Sequence, residues 1–416
     1  VRELGREAAF VKALRDAGRE TFLRVLLPTG KHEDWRFTPL GALQALAFQP
    51  APPARVDVAD LPAAPRLVFV NGRLDAALTD RAGLPAGAHA GSLMEALRED
   101  PALLERHLGR QPGPRDHAFS ALNAALFEDG ALVVLPAGAD AERTIHLVFL
   151  SDPGAAPAAS YPRNLVVAGE GARASLVESY RGDGVYLVDA VTELVLGPGA
   201  RVEHDRVQED APGAFHVGVL QVSQAAASRF TGQSIALGGQ LARVEAWAHL
   251  GAEEASCDLH GLYVAGGRQL HDHLVYVDHA SPRCTSREVF KGILDGQSRG
   301  VFAGRVHVRE GAQKTDAGQV SSNLLLSDDA TVDAKPQLEI LADDVKCSHG
   351  GTVGQLREAE LFYLRSRGVP AALARAMLTW AFAAEMVARV GPEDVRARVR
   401  RAVTARLPGG SLLEAA

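Results

Sequence analysis

The chain has 416 residues, 47% of them hydrophobic and 23% charged, and a formal net charge of −7. This length allows two or three domains with at least one sizeable core, and the acidic balance leaves no surplus of positive charge to neutralise phosphates, so nucleic acid is not an expected partner. Three cysteines (Cys257, Cys284 and Cys347) are too few for a disulfide framework; with no run of about 18 apolar residues to span a membrane and no apolar signal core in Val1 to Arg24, a cytoplasmic location is expected.

Three regions follow one another. Residues 1–115 read as mixed and mainly helical. Phe10, Leu14, Phe22 and Leu26 recur at helical spacing, and Pro28 ends the pattern. The Pro- and Ala-rich stretch from Pro50 to Pro65 reads as a linker. Arg66 to Gly72 reads as a strand running into a turn. Ser92 is placed to cap a helix from Leu93 to Leu97, and Pro101 starts another.

Residues 116–352 are almost free of helix pattern. Short β-type runs are punctuated by a weak recurring turn: Gly169-Glu-Gly-Ala172, Gly197-Pro-Gly-Ala200, Arg309-Glu-Gly-Ala312, Ser327-Asp-Asp-Ala330 and Ala342-Asp-Asp-Val345. One strand–turn unit repeated over more than about 200 residues predicts a solenoid, each coil burying its apolar face on the next. A pair of β-sandwiches is the rival. The chain switches to helix in residues 353–416. Leu356 to Arg367 is one helix, ended by Gly368. Pro370 opens the next, in which Ala374, Met377, Leu378, Ala381 and Phe382 form the expected apolar stripe. Gly391-Pro392 breaks it before a basic helix. The adjacent Leu361, Phe362, Tyr363 and Leu364 cannot all face one side of a helix, so some of them are expected at a binding surface.

No P-loop and no nucleophile elbow occurs. Cys347 and His349 lie two apart in a strand-like run, which puts both side chains on one face with Cα atoms about 7 Å apart. A thiolate and an imidazole suit zinc or iron–sulfur species, but such sites take about four ligands. The missing ones must come from elsewhere in the fold or from another chain. The plain alternative is a buried thiol beside a histidine. Alignment of the turns makes both positions inward-facing, on what should be the last coil. A cysteine-nucleophile enzyme lacks an orienting third group and an oxyanion hole. A β-helical carbohydrate-active enzyme would need converging carboxylates, whereas Asp328-Asp329 and Asp343-Asp344 sit where turns favour Asp. His271, His273 and His279 share strand parity; a solvated strand face is their plain reading and metal binding the sharper one. Cys257 and Cys284 read as buried structural thiols.

Asp278 to Gly304, Lys314 to Leu356, Glu360 to Gly368 and Glu33-Asp-Trp35-Arg36-Phe-Thr38 together resemble the SufB/SufD family of iron–sulfur cluster assembly proteins. Lys346-Cys-Ser-His-Gly350 is similar to the SufD type, and an N-terminal cysteine cluster of the SufB type is absent. The resemblance implies a mainly β chain: a right-handed parallel β-helix core flanked by N-terminal and C-terminal helical regions. It also implies a non-catalytic scaffold subunit of a SufBCD-type complex, bound to a SufB-type sister subunit and a SufC-type ATPase, and a homodimer when alone. A transient iron–sulfur cluster would form at the subunit interface, with Cys347 and His349 as this chain's ligands. Leu361, Phe362, Tyr363, Leu364, Arg365 and Arg367 would meet the ATPase. The complex of such proteins can carry a reduced flavin, for which the sequence shows no site. A purely structural β-solenoid remains the bland alternative.

Overall fold

The computed structural model describes residues 8–56, 58, 60–113 and 116–414. The expected first helix is α1 (Ala9–Val25), followed by the short α2 (Gly41–Gln44). Ser92 does cap α3 (Leu93–Glu99), its side chain accepting from the Glu95 amide, and Pro101 does open α4 (Pro101–His107). A further helix, α5 (Ala118–Leu126), packs along α1 and escaped the sequence reading. Its Ala-rich text is apolar on most faces, so no stripe stands out. Gly18 of α1 allows the close approach: a Cβ there would lie 2.7 Å from the Ala121 carbonyl.

The strands begin short: β1 (Gln49–Pro50), β2 (Arg66–Val70), β3 (Arg73–Leu74) and β4 (His89–Ser92). After α5 come β5 (Ala131–Leu135), β6 (Ile145–Ser151), β7 (Ala158–Ser160), β8 (Arg163–Ala168) and β9 (Arg173–Gly182). Next are β10 (Tyr186–Leu196), β11 (Arg201–Glu209), β12 (Phe215–Gln224), β13 (Arg229–Ala236), β14 (Leu241–Leu250) and β15 (Ser256–Ala265). The series closes with β16 (Leu270–His279), β17 (Thr285–Leu294), β18 (Arg299–Val308), β19 (Asp316–Leu325), β20 (Thr331–Ile340) and β21 (Lys346–Gly354). From β9 onward, even-numbered strands pair in parallel on one sheet and odd-numbered strands on the other. The result is a parallel β-solenoid of about eight turns with helical regions at both ends of the chain.

The coil repeat explains the turn spacings seen in the sequence. Leu187 pairs with Phe215, and Val188 with His216, 28 positions later. One corner of each coil carries a left-handed residue: Gly171, Gly199, Ala227, Glu254, Arg283 and Lys314, with φ between 55° and 66°. Each donates its amide to a carbonyl one coil further on, from Gly171 to Pro198 through to Lys314 to Asp344. The backbone hydrogen bond holds a conformation that costs a non-glycine residue about 1–2 kcal/mol. The four non-glycine copies hid this corner from a glycine-based reading.

Both outer faces of the solenoid are partly covered. Across the odd-numbered sheet lie α7 (Ala371–Ala388) and α8 (Glu393–Arg406), which follow α6 (Glu358–Ser366) and precede α9 (Ser411–Glu414). Ala383, Met386, Val387, Val395, Val399 and Val403 form one core with Val207, Ile235, Leu262 and Ile293. The expected stripe on α7 is displaced. Ala374 is buried, but Met377 and Ala381 are exposed, and the covered face is built from Ala376, Thr379, Ala383 and Met386. Alanines give a helix several equivalent apolar faces, so periodicity alone picks the wrong one. Helix α7 is long and apolar enough to cross a membrane, yet its inner face is packed on strands.

Across the even-numbered sheet lies the Glu33–Thr38 segment. Trp35 is buried, stacked on Phe119 and set under the Arg243 guanidinium at 3.9 Å. Arg243 is itself buried between Glu245 and Asp272, and Thr38 donates to the same Asp272. Burial pushes the Asp272 carboxyl up against the pull of Arg243, whereas His117 and Arg243 hold Glu245 well down despite its burial. Glu33 reaches Lys335 on β20. The segment thus straps the N-terminal region from the middle of the solenoid to its last coil.

Candidate functional site

Strands β20 and β21 end their sheets, each with a neighbour on one side only. Their backbone edges are therefore unpaired, a state soluble proteins normally cover or blunt. Ile340, Leu341 and Val353 stand exposed at this end. Cys347 pairs in register with Ala317, and His349 with Gln319. Both underlying residues are 1% exposed, so Cys347 and His349 continue inward-facing columns, as the turn alignment predicts. Being on the last coil, they are not enclosed: Cys347 is half-buried and His349 exposed.

Burial raises the Cys347 thiol above its ordinary value, a contact with the Ala317 backbone lowers it, and Asp316 adds to the rise. The thiol is therefore protonated at neutral pH. Nucleophilic catalysis needs the thiolate, so this environment does not favour a cysteine-nucleophile enzyme. A metal would have to displace the proton. Among the described residues, no group of three or more His, Cys, Asp or Glu side chains could hold a metal ion. Among the described residues the pair gathers no further ligand.

The three histidines of β16 do not lie on a solvated face. His271, His273 and His279 are 0%, 1% and 0% exposed and point into the solenoid. His271 meets the Gly238 carbonyl at 3.0 Å, His279 meets Ser286 Oγ at 2.9 Å, and His273 stacks on Tyr263. Burial lowers them to about 4, 3 and 4 in chain order. They do not converge on one point. The shared parity of a strand face cannot distinguish inside from outside in a solenoid; only the stacking does. Cys257 and Cys284 are buried free thiols, as expected.

The interior also holds polar groups that sequence reasoning missed. His204 Nε2 donates to the Glu178 carboxylate at 2.9 Å, and His216 bonds Asp210 at 2.7 Å. Burial raises Glu178, but the bond and charge of His204 outweigh it and hold the carboxyl at about 2. A cavity of about 30 Å³ opens beside them, lined by His204, Arg206, Ser234, His273 and Phe290 among others. It has room for one or two waters. It is far too small for a flavin ring, which fills pockets of several hundred Å³. The signal for this network was a polar residue at inward parity, legible only once the parity was fixed.

On α6, Leu361 is buried and Leu364 half-buried, whereas Phe362 and Tyr363 are 73% and 58% exposed. Arg365 and Arg367 are exposed beside them, and the Arg367 guanidinium lies 5.3 Å from the Tyr363 ring. Gly368, at φ 86°, ends the helix. Of the six, Phe362, Tyr363, Arg365 and Arg367 are exposed, while Leu361 is turned inward and Leu364 is half-covered.

A family model described as the SUF system FeS cluster assembly SufBD core domain matches residues 149–382. The model of the SufBD protein N-terminal region matches residues 5–147. The chain belongs to the SufBD family. It is 33% identical to an iron–sulfur cluster assembly SufBD family protein of Synechocystis sp., over 97% of this chain and 92% of that one. It is 31% identical to the iron–sulfur cluster assembly protein SufD of Escherichia coli, over 94% and 92%. Protein ABCI7, chloroplastic, of Arabidopsis thaliana is 28% identical over 94% and 85%. SufBD membership brings the chain into iron–sulfur cluster assembly and into the SUF system, consistent with a scaffold role. The two family models meet near residue 148, inside β6, so the SufBD core begins after the first strands of the solenoid are laid down.

Proposed function

We propose that this chain is a non-catalytic scaffold subunit of a SufBCD-type complex, presenting one side of an intersubunit site for a nascent iron–sulfur cluster. The reading is supported by one observation: half-buried Cys347 and exposed His349 sit on a terminal coil with a free edge, and among the described residues no third ligand joins them. A cluster is cargo here, passed on once built. Cys347 and His349 supply two ligands and a SufB-type sister subunit the others. The sister's own end coil covers Ile340, Leu341 and Val353 and pairs with the free edges of β20 and β21. In the absence of the sister, a second copy of this chain covers the same end as a homodimer. The flavin implied by the resemblance would not fit the small interior cavity beside His204, and no step is routed through it.

The C-terminal surface of Phe362, Tyr363, Arg365 and Arg367, backed by Leu361 and Leu364, docks a SufC-type ATPase. Exposed aromatics beside arginines are the residue types that dominate binding energy at interfaces. The complex works in the cytoplasm. Removing residues 356–416 would also strip Met386, Val399 and their neighbours from the odd-numbered sheet, so loss of binding by that deletion would be ambiguous. Phe362→Asp with Tyr363→Asp leaves the packed face intact. Co-purification of the ATPase with this double variant at wild-type yield would overturn the docking surface. For the cluster site, the test is His349→Ala in the full complex, read as iron and sulfide per complex; unchanged loading would overturn the ligand role.

A further inference from the structure

Each coil of a solenoid is held by its neighbours, so a terminal coil with one neighbour is the first to open. Strand β20 shows the deficit: none of its ten residues is buried, against six of ten in β18, the strand beneath it. Side chains on the outer face make up part of the loss. Lys335 pairs with Glu33 of the strap. Arg299 on β18 holds Asp333 through hydrogen bonds of 2.8 and 2.6 Å, and Arg305 holds Gln337 at 3.2 and 3.0 Å. His307 lies 3.1 Å from Glu339. The strap also meets both arginines. Phe37 lies under the Arg299 guanidinium at 5.6 Å, within cation–π reach, and Asp34 stands 3.9 Å from Arg305. Its other contacts are with inner coils: Trp35 under Arg243 on β14, and Thr38 donating to Asp272 on β16. Strand β14 is three strand spacings from β20, about 14 Å.

We propose that the Glu33–Thr38 strap is a latch that orders the terminal coil. Anchored on two inner coils, it holds β20 at Lys335 and steadies the arginines that grip Asp333 and Gln337. An exposed ion pair alone contributes little. The latch works because its anchor is buried: Trp35 is 5% and Thr38 2% exposed. Glu33, Asp34 and Phe37 therefore start from a fixed backbone and lose little freedom in reaching β18 and β20. Residues 341–345 carry the order of β20 into β21, where Cys347 and His349 lie. The open end keeps one shape without a partner, so less order has to be gained on docking. The bearing on Cys347 and His349 rests on the cluster-site reading; the ordering of the coil does not.

The test is hydrogen exchange, read by mass spectrometry, on the full chain without cluster or partner. Glu33→Lys sets like charges against each other at Lys335. It should speed exchange in peptides covering residues 331–340 by about two- to fivefold, the range open to an exposed pair, and leave β10 and β12 unchanged. Phe37→Ala should act in the same direction. Glu33→Lys combined with Lys335→Glu rebuilds the pair and should return exchange to near the wild-type rate. Circular dichroism and Tm check that each variant is folded. Unchanged exchange over residues 331–340 in Glu33→Lys, an equal rise along the whole solenoid, or a double swap no better than the single change would overturn the proposal. The readout needs neither iron nor a sister subunit, so iron loading decides the cluster-site reading separately.

Discussion

Replacing Arg243 by Met tests how the N-terminal strap is held. Arg243 is 1% exposed, bonds Glu245 at 2.7 Å and Asp272, and lies 3.9 Å from the Trp35 ring. Met fills much of the same volume but leaves two buried carboxylates without their cation. Glu245 retains His117 at 3.0 Å and Trp247 Nε1 at 3.1 Å, whereas Asp272 retains only Thr38. Breaking a buried pair by removing one partner costs about 3–5 kcal/mol. With an unfolding entropy of about 2.1 cal/mol/K per residue, 416 residues unfolding together give roughly 0.9 kcal/mol/K, so Tm should drop by about 3–6 °C. The loss should be larger at pH 8 than at pH 5, because acid neutralises the stranded carboxylates. Hydrogen exchange should rise around Trp35 and Thr38 first. Adding Glu245→Gln and Asp272→Asn removes the uncompensated charges and should recover most of the loss. Calorimetry at both pH values provides the assay. A single variant with unchanged Tm, or a triple variant no better than the single, would refute the reasoning.

The buried histidines set an acid limit: His271, His273 and His279 are held at about 4, 3 and 4 against an ordinary value near 6.5. The unfolded chain therefore takes up protons first, so stability is full above about pH 6.5 and falls as the pH drops toward 4; urea midpoints independent of pH over that window would contradict it. Glu288 works in the opposite direction, because its raised value of about 8 makes stability fall as pH rises from about 4.5 to 8. Glu288→Gln should therefore gain stability relative to the wild type at pH 8.5 and show little difference at pH 5, measured by urea midpoint. Cys347 is the half-exposed thiol while Cys257 and Cys284 are buried, so iodoacetamide on the native chain should modify Cys347 alone, faster as pH rises through the thiol's raised range; mass mapping would show it. Met386→Ala should cost about 2–5 kcal/mol, since Met386 is 0% exposed in the core beneath α7, whereas Phe362→Ala, at 73% exposure, should change stability by less than about 0.5 kcal/mol.

The solenoid was legible because a coil of about 28 residues repeats the same corner once per circuit, and the chain writes that corner in glycine at Gly171 and Gly199. At Ala227, Glu254, Arg283 and Lys314 the same left-handed corner is held by the same backbone bond without glycine, and composition gives no hint of it. The inward facing of Cys347 and His349 followed from aligning turns, since alternation along a strand is strict. Their exposure could be expected only because helix text begins soon after, which marks the coil as the last. The histidines of β16 show the limit of parity: both faces of that strand are buried, one in the lumen and one, through Asp272, under the Thr38 strap. The face of α7 was misread for a different reason. Its alanines offer little contrast, and the face that meets the sheet, with Ala383 and Met386, is the one packed in the same core as Leu262, Val264 and Ile293. The Glu288–Gln319 pair was invisible, because two polar residues 31 positions apart become neighbours only through the register.

The central claim is that Cys347 and His349 are one side of a cluster site completed by another subunit. It is tested most directly by iron and sulfide analysis of the complex purified with its sister and ATPase subunits, comparing wild type with Cys347→Ser, His349→Ala and the double variant. The account predicts intact complexes of unchanged subunit ratio that carry sharply less iron and sulfide, with the double variant no worse than the more severe single variant. Full iron and sulfide in the double variant would contradict it.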